Sequence, residues 1–193
     1  MVLNGLSEYL DENYNRSIFD LASGTGDRYI FHLHPRRVVA AAVAENMKYD
    51  LLLDTGDTGV ETVAKTGIKF LYRARHHDTV TGQMRIDNRI MRMELRPILS
   101  PTKRNHIKNK SLYPLMKERK VLFVTMLEGE VLRGIIGGFS RYEIALLMRG
   151  GLAVTLLRHG IHDIRDKDRQ SYLKQVQQTA RQWKNSPLYT GES

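Results

Sequence analysis

The 193-residue chain contains no cysteine, which excludes a disulfide framework and a thiolate zinc site. No apolar run approaches the ~20 residues of a membrane span. The N-terminus also lacks the charged-then-apolar pattern of a signal peptide. These absences point to a cytoplasmic protein with no membrane partner. Acidic residues are in short supply: 21 Asp and Glu stand against 30 Lys and Arg, for a formal net charge of +9. That balance favours an acidic partner, of which nucleic acid is the commonest. The hydrophobic fraction of 41% is enough for folded cores, and the length fits one or two domains.

Residues 119–164 carry the clearest pattern. Short apolar runs at Val121–Leu127, Val131–Ile136, Ile144–Met148 and Leu152–Leu157 are punctuated by Glu128-Gly129 and Arg149-Gly150-Gly151. Runs of that length between glycine turns predict strands of a small, strongly bent antiparallel sheet. Gly134, Gly137 and Gly138 mark a sharp bend or a close backbone approach.

In order along the chain stand Leu112 to Arg119, Leu127-Glu128-Gly129, Gly134-Ile135-Ile136, Phe139-Ser140-Arg141-Tyr142 and Arg158-His159-Gly160-Ile161. This ordered set, about 55 residues in extent, resembles the bacterial Hfq branch of the Sm-like RNA-binding proteins. The resemblance implies a short helix followed by five bent strands closing a small barrel. It also implies single-stranded RNA as partner and assembly into a ring. Two positions depart from the pattern. Leu157 stands where an aromatic usually precedes the basic-His pair, and Thr125 stands where an aromatic often lines the adenine-binding face.

Sliding the chain on itself by 93 residues places Lys48 and Tyr49 on Arg141 and Tyr142, Leu53 on Leu146, Lys65 on Arg158, and Gly67-Ile68 on Gly160-Ile161. One residue further out, Asn15-Arg16-Ser17-Ile18-Phe19 echoes Asn109-Lys110-Ser111-Leu112-Tyr113. Ser17 is a candidate cap for a helix there. The expected fold is mainly β, with two Sm-like five-stranded barrels, each preceded by a short helix. Residues 1–75 would form the first, degenerate unit, 76–108 a basic linker, 109–166 the second unit, and 167–193 a C-terminal helix and tail.

Residues 73–110 hold ten Lys and Arg against three Asp and Glu, and no Phe, Tyr or Trp. Such a segment would act on nucleic acid through phosphates rather than by stacking. Arg85, Arg89, Arg92 and Arg96 have helical spacing, whereas Met91, Met93 and Leu95 alternate as in a strand. Both conformations stay open. From Asp168 to Trp183, Leu173, Val176, Ala180 and Trp183 predict an amphipathic helix.

The candidate RNA-binding residues are Arg141, Tyr142, Arg158 and His159, with Lys48, Tyr49 and Lys65 as a weaker counterpart. An aromatic at a strand turn can stack on a base, a neighbouring cation can neutralise phosphate, and an imidazole can read a sugar or base edge. The resemblance adds Lys117 and Arg119 as a basic outer rim. It implies either a trimer of two-unit chains with pseudo-sixfold symmetry or a hexamer built on the second unit alone. An oligomeric scaffold that binds protein partners is the competing reading. His32, His34 and His76-His77-Asp78 lack further ligands at recognisable spacing, and no general base stands beside a nucleophile motif. Gly24-Thr25-Gly26-Asp27 lacks the Lys-Ser/Thr of a phosphate loop. The expectation is a binding protein without cofactor, metal or catalysis.

Overall fold

The computed structural model describes residues 3–56, 59–105 and 107–173. Two short helices, α1 (Leu6–Asn13) and α2 (Ile18–Ala22), open the chain. Ser17 caps α2, its hydroxyl accepting the Phe19 N–H at 3.2 Å, as its position in the sequence predicts. Five strands follow: β1 (Arg28–Leu33), β2 (Arg37–Asn46), β3 (Asp50–Asp54), β4 (Val60–Ala64) and β5 (Ile68–Arg73). A 3-10 turn at Lys65–Gly67 separates the last two. Then come α3 (His77–Gln83), β6 (Arg85–Ile86), α4 (Asn88–Met91) and α5 (Asn109–Lys117). The second set of five comprises β7 (Leu122–Met126), β8 (Glu130–Phe139), β9 (Glu143–Leu147), β10 (Ala153–Leu157) and β11 (Ile161–Asp166), with a 3-10 turn at Arg158–Gly160.

From β2 to β5 every strand and turn recurs 93 residues later with the same bounds. The two ten-residue strands also break register at matching places, Val43/Glu45 in β2 and Ile136/Gly138 in β8. These bulges bend each long strand, so that one half pairs backward and the other forward. The bend brings backbones close. A Cβ on Gly134 would lie 2.4 Å from the Leu147 carbonyl oxygen, and one on Gly137 would lie 2.7 Å from Leu147 Cγ. In the first half the counterpart positions are held by Ala41 and Ala44, the next smallest residues.

The strands form one open antiparallel sheet in the order β11-β7-β8-β9-β10-β5-β1-β2-β3-β4, with β6 added against β8. Two separately closed barrels are therefore not what the sheet displays. The outer side of β10 finds its partner in the other half, with Thr155 opposite Leu71 and Leu156 opposite Phe70. Backbone donors and acceptors left over by one half are thus satisfied by the other. The cores interlock in the same way. Leu157, 2% exposed, packs among Phe19, Phe31, Leu51 and Leu53 of the first half, while Phe70 and Tyr72 pack among Leu112, Val124 and Leu146 of the second. That is the physical reason for a leucine at 157: it fills a core rather than facing a ligand.

Residues 76–108 are built into this architecture rather than strung between its halves. Val80 on α3 is fully buried, and Arg85 and Ile86 pair with Val131 and Glu130. Arg85 lies on a strand and Arg89 on a helix, so neither single conformation spans the arginines, yet Arg85, Arg89, Arg92 and Arg96 are all exposed. The predicted C-terminal helix does not begin at Asp168. Arg169 adopts a left-handed φ of 63°, and the Tyr172 N–H is given to the Ile164 carbonyl at 2.9 Å, so the backbone folds back along β11 instead of starting a helix. Residues 174–193 lie outside the described residues. Among the described residues, no helix is long and apolar enough to cross a membrane.

The glycine requirement is testable. Gly134→Ala should cost about 1–3 kcal/mol, because its methyl meets backbone rather than a flexible side chain. Gly82→Ala, on α3 with nothing within 4 Å of the added carbon, should be neutral or stabilising by up to about 1 kcal/mol. Urea midpoints of the two variants decide it; equal losses would mean that the close approach at Gly134 does not matter.

Candidate nucleic-acid interface

A tight reversal joins β2 to β3, and another joins β8 to β9. Both are pinned by the same bonds, Met47 N–H to the Asp50 carbonyl at 3.1 Å and Ser140 N–H to the Glu143 carbonyl at 3.0 Å. At each corner a cation and an aromatic face solvent. Tyr49 is 69% exposed with the Lys48 ammonium 5.0 Å from its ring centroid. Tyr142 is 57% exposed with the Arg141 guanidinium at 5.1 Å. Tyrosine rings this exposed contribute little to the core, and the adjacent cation holds each in a limited orientation. Each corner is also fixed from behind. Lys65 N–H donates to the Tyr49 carbonyl and Arg158 N–H to the Tyr142 carbonyl, both at 2.9 Å.

The remaining candidates divide sharply. The Lys65 ammonium is turned inward, donating to the carbonyls of Met47 and Lys48 and lying 5.7 Å from the Phe19 ring centroid. Burial pulls its pKa down against the opposing pull of Asp20, Asp50 and Glu143. The Arg158 guanidinium lies 5.6 Å from the Phe139 ring centroid and donates to Asn109 Oδ1 at 3.0 Å. Burial lowers it to about 10, so it stays charged at neutral pH. Its Nε and Nη2 have no hydrogen-bond acceptor among the described residues. His159 is committed to structure: its Nε2 lies 2.8 Å from the Ile68 carbonyl, across the join between the halves. Burial lowers its pKa to about 4, so at neutral pH the ring is uncharged with the proton on Nε2. Lys117 and Arg119 are exposed at the end of α5, with the Lys117 ammonium 5.3 Å from the Tyr113 ring centroid. The structure thus brings together Arg141, Tyr142 and the backbone of Arg158, and sets Lys65, Arg158 and His159 behind the surface.

Other residues escaped the sequence reading. Tyr14 accepts the Arg141 N–H at 2.8 Å and so ties the second corner to the N-terminal segment. Glu143 accepts the Ser17 hydroxyl at 2.7 Å and the Ile18 N–H at 2.9 Å, joining α2 to β9 beside a groove of about 200 Å³ lined by Asn13, Arg16 and Phe139. At the join between halves, buried Lys69 forms ion pairs with Glu128 and Glu130. Burial alone would raise Glu128, but the bonds from Lys69 and the Arg36 N–H outweigh it and hold the carboxyl below its ordinary range. The one signal available was two carboxylates flanking Gly129 in an otherwise basic chain. The histidines have neighbours too: His32 Nε2 lies 3.0 Å from the Tyr72 hydroxyl, and His34 Nδ1 lies 3.1 Å from Glu128. Among the described residues no cluster of His, Cys, Asp or Glu could hold a metal ion.

These burials set a pH dependence. Folded His159 and His32 titrate near 4 and 3, against 6.5 when unfolded, and His34 is lowered in the same direction by burial. As pH falls below about 6.5 the unfolded chain takes up protons that the folded chain refuses. The stability these groups confer is therefore complete above that pH and lost on the way down to the folded values. Glu128 adds to the loss below its ordinary 4.5, since its folded pKa is depressed. The urea midpoint should be lower at about pH 5 than at about pH 7.5, and His159→Gln should shrink the difference. A flat profile would mean that these histidines are solvated.

No protein-family model, curated protein or solved structure matches this chain.

Proposed function

We propose that the chain binds single-stranded RNA through two Sm-like units held in one polypeptide, as an RNA chaperone or post-transcriptional regulator of the Hfq-like kind, without catalysis. The observation that carries this reading is the recurrence of one exposed cation-aromatic corner at the same place in both halves. Lys48-Tyr49 and Arg141-Tyr142 match in position, exposure and backbone anchoring. An exposed ring offers a face to any base, and the cation beside it offers charge to the phosphate that follows. Lys65 and Arg158 support the corners from behind and add positive potential, while His159 leaves base reading to other groups. Lys117, Arg119 and the exposed arginines of residues 85–96 extend the basic surface. Assembly belongs to the same reading. Repeating the β10–β5 pairing between chains, with β4 of one chain on β11 of the next, would place six units in a ring of three chains.

Absorbance at 260 nm before and after a high-salt wash separates an RNA binder from a protein-binding scaffold. Fluorescence anisotropy with a short U-rich RNA then tests the corners. Tyr142→Ala should cost about 1–3 kcal/mol for each stacked base, Tyr142→Phe much less, and Tyr49→Ala a loss comparable to that of Tyr142→Ala. A folded double variant, Tyr49→Ala with Tyr142→Ala, that binds like the parent would sink the reading. Replacing Arg85, Arg89, Arg92 and Arg96 with Gln should flatten the slope of log K against log salt by about 0.7 for each phosphate no longer neutralised. An unchanged slope would remove that segment from the interface.

A further inference from the structure

Pairing inside the chain defines what the β11 edge is shaped to receive. β5 lies between β1 and β10, with Leu71 facing Thr155 and Phe70 facing Leu156. β11, its counterpart, has β7 on one side just as β5 has β1. On the other side, where a counterpart of β10 would lie, the chain places its own residues 170–172. Ile164, the counterpart of Leu71, accepts the Tyr172 N–H at 2.9 Å, and the Asp166 N–H donates to the Gln170 carbonyl at 3.2 Å. Arg165 and Ser171 face each other as an antiparallel bridge. Earlier on the same strand, Asn105 Nδ2 donates to the carbonyls of Ile161 at 3.4 Å and His162 at 3.2 Å. The segment is clamped as well as paired. Tyr172 is 2% exposed, its hydroxyl donates to Asp166 Oδ2 at 2.6 Å, and Lys120 Nζ lies 2.7 Å from that hydroxyl and 2.9 Å from Asp166.

The other end of the sheet is different. β4, the counterpart of β10, pairs with β3 alone among the described strands. Val60 is 66% exposed, and the strand Val-Glu-Thr-Val-Ala holds a single charge and no proline. Such an edge recruits another strand, and edge-blocking lysines or prolines are what it lacks. The two ends are complementary, because their counterparts already pair at the middle of the sheet.

We infer that residues 170–172 stand in for a strand from a second copy of this chain and keep the chain single while they occupy β11. When they leave, β11 accepts Val60–Ala64 of another molecule, with Thr62 opposite Ile164 and Val63 opposite Asp163, the register of the internal join carried 93 residues along. The inference rests on the assembly part of the reading above and is independent of RNA binding. Covering one of two complementary edges is sufficient, since each contact needs one of each kind.

Light scattering on the full chain and four variants tests it, with far-UV circular dichroism and urea midpoints confirming that each is folded. The full chain should have the mass of one molecule. Gln170→Gly with Ser171→Gly loosens the cap and spares the buried Tyr172, and should give a mass that rises with concentration towards three chains. Tyr172→Pro deletes the donor to Ile164 and should associate more strongly; if it does not fold, the glycine pair decides. Adding Val60→Lys and Thr62→Lys to the glycine pair should restore the single chain. Arg165 and Ser171 bridge without hydrogen-bonding each other, a spacing suited to a disulfide. Arg165→Cys with Ser171→Cys, in a chain otherwise free of cysteine, should stay single when oxidised at concentrations where the glycine pair assembles.

Assembly of the oxidised form would overturn the cap and leave the ring standing. Folded loosened variants that stay single would overturn edge pairing and with it the ring, while anisotropy scores RNA binding separately. Assembly into an open-ended polymer would uphold the cap and remove the ring of three. Association that survives the two lysines would overturn the β4 register.

Discussion

The seam between β5 and β10 is the contact on which the rest of the molecule depends. Each half is a five-stranded unit too small to bury a substantial core by itself, and the seam lets each half complete the other's. Pairing of Leu71 with Thr155 and of Phe70 with Leu156 carries the sheet across, Leu157 enters the first core and Phe70 the second. Polar groups close the same line. Lys69, 1% exposed, is compensated by two carboxylates from the β7–β8 turn, and His159 reaches the Ile68 carbonyl. An ion cluster this buried gives little net stability, because desolvation offsets its attraction. Its partners must meet in one geometry, though, or leave a charge unpaired. The cluster fixes how the halves register, and apolar burial supplies the adhesion.

The surface corners are anchored on the same framework. Tyr49 and Tyr142 are exposed on backbone that the Lys65 and Arg158 N–H groups tie from behind. The Lys65 ammonium holds the first corner through the Met47 and Lys48 carbonyls, while Arg158 packs on Phe139 and donates to Asn109 on α5. A long basic side chain whose stem is packed in this way still projects positive potential at the surface while losing the freedom to follow a ligand. Exposed cations are supplied elsewhere, by Lys48 and Arg141 at the corners and by the arginines on residues 85–96.

Much of this was legible in the amino-acid order, for reasons that can be named. Apolar runs between glycine turns marked β7 to β10, and the 93-residue offset fell on the strand bounds because β2 to β5 and β8 to β11 have connections of equal length. Ser17 declared a helix start, and Gly134 a close approach. Illegible features depended on partners distant in sequence. β4 carries only two valines among polar residues, so its strand character comes from pairing with β3. Arg158 and His159 look like surface ligands in a motif, yet Arg158 turns onto Phe139 and Asn109 and His159 reaches Ile68 of the other half. The helix expected from Asp168 had the right apolar spacing, but β11 takes the Tyr172 N–H at Ile164 and gives its Asp166 N–H to Gln170, which lays the segment along the sheet.

Placing two units in one chain also makes counterpart positions unequal, and the inequality identifies which edge is in use. A Cβ on Gly160 would lie 3.0 Å from the Lys69 Cα, whereas one on its counterpart Gly67 would meet nothing within 4 Å. Leu157 is buried, whereas its counterpart Ala64 is exposed. His159 spans the seam, whereas Thr66 in the same place has no seam to span. Each difference follows from one fact: β10 has a neighbour and β4 does not. The free edge carries Glu61 where β10 has Val154, and the smaller Val63 and Ala64 where β10 has Leu156 and Leu157. The one charge on β4, Glu61, is paired with Arg37, and the strand holds no lysine or proline against pairing. The sheet thus ends on one side in β4, which pairs with β3 alone among the described strands, and on the other in β11, whose outer edge is bridged by its own chain at Ser171.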